Sequence, residues 1–98
     1  MMELQDGLRK EAEAWLVDIK EYNPKYYSQL MKKGKEQALE EIARILLMEA
    51  EKEKRYQADA LANLKLTTNY MDNLNLIEEA KRGVREMMQE ELTDIFLR

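Results

Sequence analysis

The 98-residue chain contains no cysteine and no histidine. Without cysteine there is no disulfide framework and no thiolate chemistry. Without histidine the usual general base and the commonest zinc ligand are both missing. Proline occurs once and glycine three times, too few turn formers for a sheet with many tight connections. The sole serine is Ser28. A Ser–His–Asp arrangement is therefore excluded, and a Ser–Lys pair lacks any positioning signal. Gly7, Gly34 and Gly83 stand alone, so there is no glycine-rich loop to cradle a phosphate. The longest apolar run, Ile45 to Met48, is far short of a membrane span. Residues 1–10 lack the apolar segment of a signal peptide. The expectation is a soluble cytoplasmic protein, not an enzyme, with no cofactor, no metal and no membrane partner.

What is present favours helix. Apolar residues make up 45% of the chain and charged residues 37%, which is too apolar for intrinsic disorder. Leu, Glu, Lys, Ala, Met and Arg dominate, and all are good helix formers. The length suits a single helical domain over 1–98.

Leu4, Leu8, Ala12, Trp15, Leu16, Ile19 and Tyr22 recur every three or four residues and predict a helix over about 3–22. Trp15 lies on this stripe and is expected in the core. Asn23 is a good N-cap and Pro24 is best tolerated at a first helical position, so the chain should turn there. A second helical stretch is expected over 24–64, with Gly34 as a candidate break. Tyr26, Tyr27, Leu30 and Met31 share one face of its start. Leu39, Ile42, Ala43, Leu46 and Ala50, then Ala60, Leu61 and Leu64, mark its later stripe. The charged run 51–55, "EKEKR", interrupts that stripe, and a bend is expected near 51–57 unless a second copy or a partner covers the helix.

The segment 65–75 reads as a break. Thr68 or Asn75 is the candidate cap of a last helix over 70–97, Asn75 having capping-box spacing to Glu78. Leu76, Ile77, Ala80, Val84, Met87, Met88, Leu92, Ile95 and Phe96 give that helix a wide apolar face. The fold class is thus all-α: three or four helices, as an antiparallel bundle or a helical hairpin with one long helix. The long helix and the wide face exceed what a small monomer covers easily, so a homodimer is expected.

The net charge of −4 is unevenly spread. Residues 23–35 hold four lysines, Lys25, Lys32, Lys33 and Lys35, and no acid. Every other part of the chain is net acidic, which repels nucleic acid and attracts basic proteins. Three readings of the lysine island stay open. It binds single strands or phosphates through interleaved aromatics; it docks on an acidic protein surface, that of a second copy included; or it is a solvated helix face. The island has no arginine, the residue that leads base readout, which argues against DNA. The glutamate pairs 40–41, 78–79 and 90–91 read as solvated faces, since adjacent helical residues diverge by about 100°.

The stretch "IKEYNPKYYSQLMKKGK", Ile19 to Lys35, resembles a segment of the TnpV family, small proteins encoded on bacterial transposons. Lys20–Glu21, Pro24, Tyr27, Gln29–Leu30 and Gly34–Lys35 carry the likeness. A looser one follows at Leu64–Lys65 and in the helix after it. The resemblance implies a bacterial mobile-element origin and transfers no site residue. With the charge pattern it leads to a protein-binding regulator, an inhibitor of a nucleic-acid-handling protein in the manner of small acidic anti-CRISPR proteins. The alternatives are an accessory nucleic-acid-binding factor in transposon excision and a homo-oligomeric scaffold.

Overall fold

A computed structural model describes residues 5–98. The part of the expected first helix at residues 3 and 4 lies outside the described residues. The order is α1 (Asp6–Tyr22), α2 (Pro24–Met31), α3 (Lys35–Ala62) and α4 (Tyr70–Leu97), with no strand among the described residues. The fold is all-α, with two helices of 28 residues each.

α1 buries Ala12, Trp15, Leu16 and Ile19, the centre of the expected stripe. Leu8 is half-buried, and Tyr22, expected on the stripe, is exposed because the chain turns away directly after it. The turn is built as the sequence implies. Pro24 opens α2, and Asn23 Oδ1 accepts the N–H of Tyr26 at 3.4 Å. Asn23 also donates from Nδ2 to the carbonyl of Phe96 at 3.1 Å. One side chain therefore caps α2 and ties that corner to the end of α4.

The expected 24–64 helix is broken. Gly34 has φ 95° and ψ 166°, an extended left-handed geometry open essentially to glycine alone. α3 then runs as one continuous helix to Ala62, through the charged run. The charges are tolerated because they face outward or cross to α4, where Lys52 pairs with Glu91. Ala50, expected on the stripe, is exposed in the notch beyond Leu8, where α1 no longer covers α3.

The core lies at one end. Phe96 from α4 is fully enclosed among Trp15, Leu16 and Ile19 of α1, Leu30 of α2 and Ala38, Leu39, Ile42 and Leu46 of α3. Its ring centroid is 4.9 Å from that of Trp15, tilted by 45°, a favourable aromatic geometry. Past Leu46 no α3 residue is fully buried. There α3 and α4 continue alone as a two-helix arm. The molecule accordingly measures 56 × 27 × 17 Å with a radius of gyration of 17.1 Å, against about 13 Å for a compact chain of this length.

Candidate interaction surfaces

The lysine island sits at the core end. Leu30 is buried and Tyr26, Tyr27 and Met31 are half-buried against α1 and α3, which leaves Lys25, Lys32, Lys33 and Lys35 exposed. All four predicted residues are thus accessible. Lys32 and Lys33 edge a shallow groove with Tyr26, Leu30 and Glu41, while Lys35 edges another with Val17, Tyr27 and Met31. The structure therefore spreads the island over two sides of α2 rather than focusing it on one point. Burial, then the nearby Glu41 carboxylate, raises the Tyr26 hydroxyl above its ordinary range.

A second cluster lies at the root of the arm. Lys52 Nζ donates to Glu91 Oε1 across the helices. That hydrogen bond holds the Glu91 carboxyl below its ordinary range. Glu49 stands beside them with its Oε2 enclosed and meeting no donor. Burial first, then the charge of Glu91, pushes Glu49 up, with Lys52 offsetting part of it. A carboxyl raised in the folded state favours folding when protonated, and that contribution is lost as pH rises through its folded value. Glu49→Gln should therefore melt higher than the parent at pH ~7.5, with the difference shrinking as pH falls to ~4.5. Thermal melts of both chains at the two pH values check this. A difference independent of pH would mean that Glu49 is not the strained group.

The arm's tip carries a surface that spacing alone did not single out. The cap of α4 is Asn69, not Thr68 or Asn75. Its Oδ1 accepts from Met71 N at 3.0 Å and Asp72 N at 3.3 Å. Asn73 clasps the loop, accepting from Thr67 N at 2.7 Å and donating to Thr67 O at 2.8 Å. The first turn of α4 is therefore flanked by loop rather than by helix. Leu66, Tyr70, Met71 and Leu74 stand exposed there. A signal was available: Tyr70, Leu74, Ile77, Val84 and Met88 fall on one three-and-four spacing interrupted at Lys81, whose start was hidden inside a segment rich in Thr and Asn.

Trp15 is a core residue and Met88 is buried, whereas Met87 and Ile95 are exposed because the α4 face is wider than its neighbours cover. Among the described residues, no group of three or more acidic side chains is arranged to hold a metal, and no helix is long and apolar enough to cross a membrane. The class defined by this architecture is an all-α domain with a protruding helical arm. The chain matches no family model, no curated protein and no solved structure.

Proposed function

We propose that this chain is a non-enzymatic, protein-binding regulator that works as a homodimer. Its partner is a nucleic-acid-handling protein whose basic groove the acidic faces occupy, which makes the chain an inhibitor. The observation that carries the reading is the segregation of charge: four exposed lysines at the core end of an otherwise acidic chain. Such segregation steers and orients a protein partner. The TnpV-like stretch from Ile19 to Lys35 adds a bacterial mobile-element origin.

The test compares the parent with a variant in which Lys25, Lys32, Lys33 and Lys35 are all Gln. Melting should be nearly unchanged, within about 0.5 kcal/mol, because exposed side chains contribute little. Tagged parent expressed in bacteria should capture nucleic-acid-handling proteins; in this reading the lysines meet acidic surface beside the groove, so the variant should capture them more slowly, since rim charge acts mainly on association rate. Labelled duplex and single-stranded DNA should bind the parent more weakly than ~1 μM at physiological salt. Tighter binding, lost in the variant, would replace the inhibitor by a DNA accessory factor.

A further inference from the structure

The apolar seam of α4 outruns the helix that covers it. Tyr70, Leu74, Ile77, Val84 and Met88 fall on the alternating four-three positions of a helix–helix seam, with Lys81 at the one position between Ile77 and Val84. Their exposure rises steadily toward the tip. Met88 is 4% exposed and Val84 8%, Ile77 is half-buried, Leu74 is 38% exposed and Tyr70 73%. Apart from Lys81 the seam is apolar from end to end, but its cover is not continuous. α3 ends at Ala62, and residues 63–69 form a loop held against Asn73. Leu66 and Met71 widen the uncovered end.

We infer that this overhang is where a second copy of the chain docks, the two tips lying antiparallel about a two-fold axis near Leu74. The inference rests on the homodimer reading and gives it a location. The surface area supports a copy as occupant. The chain exposes 7289 Å², whereas a globular monomer of 11.7 kDa exposes about 5,900 Å². The excess of about 1,400 Å² is larger than the roughly 800 Å² each partner gives to a standard interface. The arm draws the molecule out to 56 Å, and an elongated shape exposes more than a globular one of the same mass. A two-fold contact is self-complementary, so one overhang supplies what the other lacks: an apolar cover two turns long.

The charges at the tip sharpen the test. Asp72, Glu78 and Glu79 flank the overhang together with Lys65, Lys81 and Arg82, three charges of each sign over residues 65–82. Two such tips carry no net charge against each other, so added salt should leave an apolar contact between copies in place. A basic partner protein at the same place would instead be released by salt.

The experiment measures mass by sedimentation at about 10 μM and about 500 μM, a range suited to a small interface. The parent should move from 11.7 kDa toward twice that mass, and ~1 M salt, where surface charge is screened, should leave that shift in place. Tyr70→Glu with Leu74→Glu should weaken association at least tenfold and leave melting nearly unchanged at about 10 μM, where the parent is mostly monomeric, since both side chains are exposed. Val17→Glu, an exposed apolar site at the core end, should associate like the parent. A parent that stays monomeric overturns both the tip contact and the homodimer reading. A dimer that survives the tip variant, or is lost equally in Val17→Glu, overturns the tip contact alone.

Discussion

Phe96→Ala should destabilise the protein by about 3–5 kcal/mol, the range for truncating a buried aromatic. The side chain is fully enclosed and meets all three other helices through the core. Alanine would forfeit the tilted contact with Trp15 at 4.9 Å and leave a cavity that backbone restraint keeps open, because Asn23 holds the Phe96 carbonyl at 3.1 Å. The loss should be unusually visible. α4 meets α1 only near this end, so the arm would stay paired through Val84 and Met88 while its anchor loosens. Urea unfolding followed by Trp15 fluorescence, the only tryptophan, reads the core end directly. A loss under ~1 kcal/mol would mean that Phe96 is not the keystone of the packing, since even conservative core truncations reach that size.

The core end was legible in the sequence because its signals were local. Asn23–Pro24 carries its own instruction for a turn, and the stripe from Ala12 to Ile19 repeats at helical spacing. The exposure of the four lysines followed from their spacing opposite Tyr27 and Leu30. The arm was less legible. The run "EKEKR" suggested a bend, yet helix propensity is high in every one of those residues and solvent surrounds most of them. Whether Tyr70 and Leu74 are covered depends on where α3 stops, which is a matter of register between distant segments. Spacing along one helix holds no information on the length of its neighbour. The same limit hid the Glu49–Lys52–Glu91 cluster, in which Glu91 lies about forty residues from the other two and meets them only across the hairpin.

Gly34→Ala and Gly83→Ala should shift stability in opposite directions, although an added Cβ would meet nothing within 4 Å at either site. With no clash in either case, backbone conformation alone decides the sign. Gly34 has φ 95° and ψ 166°. A residue with a Cβ is strained there by about 1–3 kcal/mol. The strained chain can relax only by moving α2 relative to α3, and that would pull Leu30, Tyr26 and Tyr27 from their places against α1 and α3. Gly83 is an ordinary exposed position inside α4. Alanine there lowers the entropy of the unfolded chain and should stabilise by about 0.5–1 kcal/mol. Chemical denaturation of the two single variants beside the parent measures both shifts. If Gly34→Ala proved neutral, the break between α2 and α3 would not depend on the left-handed geometry, and residues 24–62 could join into one helix as the propensity of "MKKGKEQ" allows. A synthetic chain with D-alanine at 34 separates the causes. The D-residue accepts positive φ at little cost and should restore the parent's stability, which a Cβ that obstructed packing would not.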